Sequence, residues 1–286
     1  EGLFSLHKMT MFEMDLWMSL AYFIEQKVDY CIIEAGMGGR LDATTALDYQ
    51  ACLITNVGLD HTEYLGNTFE QIAYEKSGIF KPNVPALTTE DKLECQKVME
   101  LVADYMNTPL CFIDCQETDV LRWNGMTFHL NPPLYQAKNL SLALETLNVL
   151  GIWLEENEIQ EVIDHFQWAG RFMVLRKAPL VLLDGAHNVH GITALTHSLK
   201  NFHGKIYFSV LKEKDAPHMI ELLQTISKDI TLVEISSARL YPLEKLGYPI
   251  ITVDELISRL LDTKEDTLLC GSLYYVGEVL EKWGNV

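Results

Sequence analysis

Two loops that combine glycine with polar residues hold the first side chains able to do chemistry. Glu34 opens the segment EAGMGGRLDATT, which also contains Asp42, and His61 lies in the segment TNVGLDHTEYLGNT. A carboxylate and an imidazole can bind one divalent cation, and Mg²⁺ prefers carboxylate and water oxygens. Lys76 follows in EKSGIFKP, but an ammonium group cannot ligate a metal and would need chemical conversion to join such a site. Taken alone, these features are also compatible with an ordinary turn, a loop histidine and a surface lysine.

Two segments later in the chain offer further polar groups. Asn139 lies in YQAKNLSLALETL and Arg171 in WAGRFMVL, where the simplest interpretations are a helix-surface amide and a solvated or ion-paired base. Asp184 ends an apolar run and His187 follows it in LLDGAHNVHG. A single DGxHN pattern is only moderately specific, so none of these residues defines a function by itself.

The segments that position the candidate residues of the first two loops have the pattern of a parallel sheet flanked by helices. Thr10 and Glu13 have the spacing of a capping box, and an apolar stripe to about Gln26 predicts a helix that faces the core. The apolar runs 30–33 and 51–55 predict two buried strands. Ligands of open parallel sheets bind beyond the carboxyl ends of the strands, which is where Glu34 and His61 fall.

The remaining chain predicts further helices and a second α/β unit. Another helix is expected from about Asn67 to Gly78, a hairpin around Asn124-Gly125, and two helices at about 136–150 and 156–166. From Leu180 onward short apolar strands alternate with helices, which indicates a second α/β unit. We therefore predict an α/β protein of two domains, 1–178 and 179–286, with the boundary near Ala178-Pro179.

The composition excludes several classes of protein. The 286 residues are 48% hydrophobic, which is enough for two moderate cores. The formal net charge of -18 argues against nucleic-acid binding, because backbone phosphates are bound by Lys and Arg. No apolar run reaches the ~18 to 20 residues that cross a bilayer, and no signal peptide is evident. Six cysteines without a CxxC pair indicate free thiols, so we expect a soluble cytoplasmic protein.

In this order the motifs together resemble the folylpolyglutamate synthase and dihydrofolate synthase family of the Mur-ligase superfamily. The resemblance covers nearly the whole chain and includes EAGMGGRLDATT, TNVGLDHTEYLGNT, EKSGIFKP, GRFMVL, DGAHNVHG and the C-terminal GSLYYVGEV. It implies a truncated P-loop-like central domain with a parallel sheet, followed by a Rossmann-like C-terminal glutamate-ligase domain. Members join L-glutamate to a folate or pteroate carboxylate with ATP, through an acyl phosphate.

The resemblance also implies roles for the candidate residues. Glu34 and His61 would bind Mg²⁺, and Lys76 would be carbamylated, which converts it into an anionic metal ligand with a catalytic role shared by His61. Asp42 corresponds to a position near the pterin. ATP would lie in an interdomain cleft and be bound by the four residues Asn139, Arg171, Asp184 and His187. The family further suggests K⁺ as an additional cation, a monomer, and small-molecule substrates without a nucleic-acid or membrane partner.

One expected motif is absent from these 286 residues. The family carries a glycine-rich phosphate loop upstream of the segment that begins here, and no GxxxxGK[ST] pattern occurs. The chain starts at Glu1 and enters a helix without a preceding strand, which is typical of a truncated start. We therefore expect these residues alone to be inactive. The alternatives are a catalytically silent folate- or nucleotide-binding protein and a Mur-type ligase acting on peptidoglycan precursors.

Overall fold

The computed structural model describes residues 8–131 and 133–284, which fold as two compact α/β units. The first unit contains Glu1–Gln116 and Lys138–Trp153, and the second contains Glu117–Ala137 and Leu154–Val286. This division differs from the predicted boundary near residue 178. The reason is that the strand before this point pairs antiparallel with the strand after it, so both lie in one sheet. The functional assignment of the two predicted domains stays a prediction.

The first unit is built around a small parallel sheet. Its elements are α1 (Met11–Gln26), a 3-10 helix (Ala43–Ala46), β1 (Cys52–Ile54), α2 (Thr62–Leu65), α3 (Phe69–Ser77), β2 (Ala86–Thr88), α4 (Leu93–Met106), β3 (Leu110–Phe112) and most of α5 (Gln136–Val149). The strands lie in the order β1-β2-β3 and are all parallel. Helices α3 and α4 cover the sheet through fully buried Ile72 and Met99. The loops that follow β1 and β2 therefore leave the same edge of the sheet.

Helix α1 forms as predicted, but its apolar stripe is not buried. Thr10 and Glu13 make both hydrogen bonds of the capping box. No residue of the helix is buried, and Met11 is 75% exposed, so the prediction of a core-facing stripe is wrong for the described residues. The predicted strand at 30–33 is also wrong: the segment is irregular and Ile32 is 93% exposed. A strand requires a hydrogen-bonded neighbour, and none of the described strands pairs with this segment.

The second unit contains a hairpin and a larger sheet. Its elements are β4 (Val120–Trp123), β5 (Met126–His129), α6 (Glu156–His165), β6 (Met173–Lys177), β7 (Leu180–Asp184), α7 (Val189–Ser198), β8 (Lys205–Phe208), α8 (Ala216–Leu223), β9 (Ile230–Glu234), a 3-10 helix (Leu243–Leu246), β10 (Ile250–Thr252), α9 (Val253–Asp262), β11 (Thr267–Cys270) and α10 (Leu273–Trp283). The order is β10-β9-β8-β11-β7-β6, and only β6 is antiparallel. The predicted hairpin is confirmed, with Asn124 and Gly125 both at positive φ. No helix in the described ranges is long and apolar enough to cross a membrane.

Both faces of the larger sheet are buried. Along β7, Leu182 packs into one apolar cluster, whereas Val181 and Leu183 pack into the cluster on the other face. Because alternate side chains of a strand point to opposite faces, this pattern requires helices on both sides of the sheet. The second α/β unit predicted from the sequence is confirmed. Asp184 is the last residue of β7 and so lies at the carboxyl edge of the sheet.

Candidate functional site

In the first unit the glycine-rich loop packs directly on the last turn of α3. A Cβ atom at Gly39 would lie 2.7 Å from the Lys76 carbonyl oxygen, and one at Gly78 would lie 2.2 Å from the Arg40 Cα. Both positions need glycine because backbone approaches backbone there. Arg40 secures the contact through two nitrogens that donate to the Glu75 carboxylate at 2.9 to 3.1 Å. The close packing fixes the loop beside the turn that carries Lys76.

Asp42 organises this loop from within. Its carboxylate accepts hydrogen bonds from the Thr44 N–H at 3.0 Å, the Thr44 hydroxyl at 2.6 Å and the Met37 N–H at 2.9 Å. Burial works to raise the pKa of Asp42, but hydrogen bonds from Thr44, Met37 and Gly36 outweigh it, so the pKa lies below its usual value. Asp42 is thus an anion whose oxygens hold the loop and cap the 3-10 helix.

Lys76 is the centre of the first group of candidates. Its side chain is largely shielded from water, and this burial lowers the pKa of the ammonium. The carboxylates of Asp60, Glu34 and Glu90 lie near enough to oppose that effect. The structure therefore brings Glu34 and the loop of His61 to Lys76, as the sequence predicts. Three carboxylates therefore act electrostatically on one partly buried amine.

His61 lies at the start of α2 in an unusual backbone conformation. Its φ is 50°, in the left-handed region, and its N–H donates to the Asp60 carboxylate at 2.9 Å. Residues other than glycine seldom adopt this region, and those that do cluster at functional sites. The side chain is exposed and therefore accessible to a ligand.

The residues present supply only part of the ligand set that a divalent metal needs. Within the described ranges, no three His, Cys, Asp or Glu side chains form a group that could hold a metal ion. Glu34 and His61 are both exposed and supply oxygen and nitrogen ligands, and the carboxylates around Lys76 add negative charge. A carbamylated Lys76 would add the missing anionic ligand. The donor chemistry thus fits Mg²⁺ or a similar ion.

The sequence did not single out Glu90, although it influences the Lys76 ammonium electrostatically. Glu90 follows β2, a strand of only three residues that has no readable alternation. It is 2% exposed, which is rare for a glutamate. Its position two residues after a short apolar run was the available signal.

In the second unit, Asp184 is the central polar group. It is 3% exposed and accepts hydrogen bonds from the Phe172 and Ala186 N–H groups, both at 2.7 Å. Burial raises the pKa of Asp184, while the two hydrogen bonds and the charges of Arg171 and His187 act in the opposite direction. These two side chains therefore lie close to Asp184, and the three predicted residues form one cluster.

The backbone beside this cluster is tightly packed against neighbouring side chains. A Cβ atom at Gly185 would lie 2.7 Å from the Arg171 Nη1 and 2.4 Å from Leu273 Cδ2. His187 Nδ1 is 2.9 Å from the Gly185 carbonyl oxygen, which orients the imidazole ring. The fourth residue of the predicted nucleotide group, Asn139, is exposed on α5 and belongs to the first unit.

Comparisons with known proteins connect both units to one family. The Mur ligase middle domain family matches residues 3–123. A Bacillus subtilis protein named dihydrofolate synthase/folylpolyglutamate synthase is 29% identical over 310 residues, which span 96% of this chain and 72% of that protein.

Solved structures match along the same length. A folylpolyglutamate synthase from Thermotoga maritima has a TM-score of 0.75 at 30% identity, with 96% of this chain and 70% of that chain covered. A bifunctional folylpolyglutamate synthase/dihydrofolate synthase from Yersinia pestis, complexed with AMPPNP and Mn ion, has a TM-score of 0.83 at 26% identity, with 96% and 72% covered. The chain therefore belongs to the folylpolyglutamate synthase and dihydrofolate synthase family of ATP-dependent ligases.

Proposed function

We propose that this protein adds L-glutamate to folate in an ATP-dependent reaction. The observation that carries the proposal is Lys76, a partly buried amine on which three carboxylates act electrostatically, in a chain related to folylpolyglutamate synthases along 96% of its length. ATP transfers its γ-phosphoryl group to the acceptor carboxylate and leaves as ADP. The amino group of glutamate then attacks the acyl carbon, loses a proton and expels phosphate. This sequence of steps forms one amide bond for each ATP consumed.

Glu34 and His61 are proposed to hold Mg²⁺ at the phosphate groups. When bound, Mg²⁺ neutralises oxyanions that otherwise repel one another during phosphoryl transfer. The Mn ion in the Yersinia pestis relative supports the use of a divalent cation. The role of the protein is then to fix the two ligands, and the packing of the glycine loop on α3 does so for the side that carries Glu34.

Lys76 is proposed to carry a carbamate in the active enzyme. The neutral amine attacks CO₂ and releases one proton, which gives an anionic group that can ligate a metal. Burial favours the neutral amine, since it lowers the pKa of Lys76. Three surrounding carboxylates would repel the carbamate in the absence of a cation, so we expect modification and metal binding to depend on each other.

The nucleotide and the acceptor are proposed to use the remaining candidates. Asn139, Arg171, Asp184 and His187 would bind ATP, with Arg171 as the cation suited to phosphate. Asp42 is proposed to act near the pterin. Because its carboxylate already accepts three hydrogen bonds within its own loop, we expect it to shape that part of the site more than to bind the ring directly.

Addition of glutamate to dihydropteroate is the second proposed activity, because the Bacillus subtilis and Yersinia pestis relatives are named for both reactions. A requirement for K⁺, a monomeric state and a cytoplasmic location stay predictions. The test is a steady-state assay of the full-length protein with ATP, Mg²⁺ and glutamate, and with tetrahydrofolate or dihydropteroate as the acceptor. We expect ADP formation that depends on glutamate and on at least one acceptor. ADP formation that requires neither would contradict the proposal.

A further inference from the structure

The loop that follows β1 is held by two charged residues at the end of β2. The Glu90 carboxylate accepts a hydrogen bond from the Val57 N–H, and the Lys92 ammonium donates one to the Val57 carbonyl oxygen at 3.0 Å. Glu90 Oε1 and Lys92 Nζ are 3.2 Å apart. The two side chains thus bind both polar groups of one residue, and we call this pair the Val57 clamp. The Thr89 hydroxyl donates a further bond of 2.7 Å to the Thr55 carbonyl oxygen.

The clamp is largely shielded from water, and removing charged groups from water costs free energy that apolar side chains at the same positions would not. The Glu90 side chain has no exposed surface, and that of Lys92 is 28% exposed. Glu90 also accepts a hydrogen bond of 2.8 Å from the Lys92 N–H, so three donors compensate its lost hydration. Apolar side chains often stabilise a fold as well as a buried ion pair does. A charged clamp at this place indicates that the loop needs one fixed geometry.

The clamped loop leads directly to His61. Val57 has no exposed surface, and His61 follows four residues later in its left-handed conformation. Glu90 also influences the Lys76 ammonium electrostatically. Lys92 Nζ also lies 5.4 Å from the centre of the Phe69 ring, in the first turn of α3, so the clamp contacts both the loop that leads to His61 and the helix that carries Lys76.

We propose that Glu90 and Lys92 are positioning residues for the ligase reaction, which hold the His61 loop in place relative to Lys76. This inference rests on the proposed function, because it assigns the clamp to the metal site of that reaction. Both residues act through His61. Loss of the clamp would weaken metal binding, because the ligand would sample positions away from the metal.

The test measures Mn²⁺ affinity of the full chain by electron paramagnetic resonance, with thermal unfolding of each variant as a second readout. We expect Glu90→Gln and Lys92→Met to weaken Mn²⁺ binding about tenfold, the lower end of the range for residues that support metal ligands. Lys92→Arg should restore most of the affinity. Asp91→Asn is the matched control, since Asp91 lies between the two, is 68% exposed and bonds Lys138 instead of the clamped loop.

A double-mutant cycle with His61→Ala separates positioning from general stability. If Glu90 acts through His61, Glu90→Gln should cost little further affinity once His61 is removed. Full additivity of the two losses would overturn the proposal, as would unchanged affinity in both clamp variants. Should Glu90→Gln fail to fold, the comparison of Lys92→Met with Lys92→Arg decides the question. A wild-type protein that binds no Mn²⁺ would instead refute the metal role in the proposed function.

Discussion

A methyl group at Gly78 tests whether the contact between the glycine loop and α3 is as close as the structure indicates. The added Cβ would lie 2.2 Å from the Cα and 2.6 Å from the N of Arg40, so only movement of the backbone can relieve the overlap. Overpacking costs about 1–3 kcal/mol, and backbone obstacles favour the upper end. The φ of Gly78 is -61°, which alanine adopts freely, so the usual gain of about 0.5–1 kcal/mol from Gly→Ala offsets part of the cost. We expect Gly78→Ala to lower the free energy of unfolding by about 2 kcal/mol.

Gly277→Ala is the control, because it makes the same chemical change without the overlap. Gly277 lies inside α10 and a Cβ there meets nothing within 4 Å, so we expect a gain of about 0.5–1 kcal/mol. Urea denaturation followed by circular dichroism measures both variants. Equal stability of the Gly78→Ala and Gly277→Ala proteins would refute the packing argument. Turnover should also fall in Gly78→Ala, since the displaced loop carries Glu34.

Further predictions concern the charged residues of the two units. Glu34→Ala and His61→Ala should each lower turnover by the equivalent of at least about 2 kcal/mol, the scale of one lost electrostatic group. Thermal unfolding should stay unchanged because both side chains are exposed. Unchanged turnover at saturating Mg²⁺ would reject the metal role. Lys76→Ala should be inactive and partly rescued by short-chain carboxylic acids, and full activity without them would exclude the carbamate. Burial lowers the pKa of Lys76 in the folded state below the ordinary value of 10.5 that applies in the unfolded state. Between these two pKa values the unfolded state binds more protons, so the free energy of unfolding should rise with pH. Urea denaturation at several pH values should show this rise in the wild type and not in Lys76→Met. Arg171→Met should raise the KM for ATP more than it lowers kcat, and an unchanged KM would exclude Arg171 from the nucleotide site.

Local sequence signals predicted the elements that depend on nearby residues. The Asn124-Gly125 turn fixed the hairpin, and the capping box of Thr10 and Glu13 fixed the start of α1. The central strands β7, β8, β9 and β11 of the larger sheet are largely apolar because both of their faces are buried, so they stood out without any alternation. These features could be inferred because each is determined by chemistry within one short segment.

Features that depend on distant partners were missed or misplaced. The segment 30–33 is apolar and β-rich, yet no described strand pairs with it and Ile32 remains exposed. Helix α3 begins at Phe69 instead of near Asn67, because Thr68 is its N-cap and makes a capping box with Gln71. Its end also differs, because Gly78 is right-handed instead of left-handed. The strand was misassigned because its pairing depends on distant segments, whereas the start of α3 was misassigned between two neighbouring capping residues.

Only part of the candidate site was predicted, because some of its contacts join segments that are distant in the sequence. Glu34, His61 and Lys76 lie in long motifs, and the structure places the first and the loop of the second near Lys76. Glu90 was missed because its significance lies in the burial of its carboxylate against Val57, a residue 33 positions away. No spacing rule within one segment reveals such a contact.

The acyl-phosphate pathway is tested most directly with a folate acceptor whose reacting carboxylate carries oxygen-18. Transfer of the γ-phosphoryl group to this carboxylate, followed by attack of glutamate, predicts that one labelled oxygen appears in the released phosphate and that the product gains one glutamyl residue. Mass spectrometry of both products measures this. Unlabelled phosphate, or a product without the added glutamyl residue, would contradict the proposed ligase reaction.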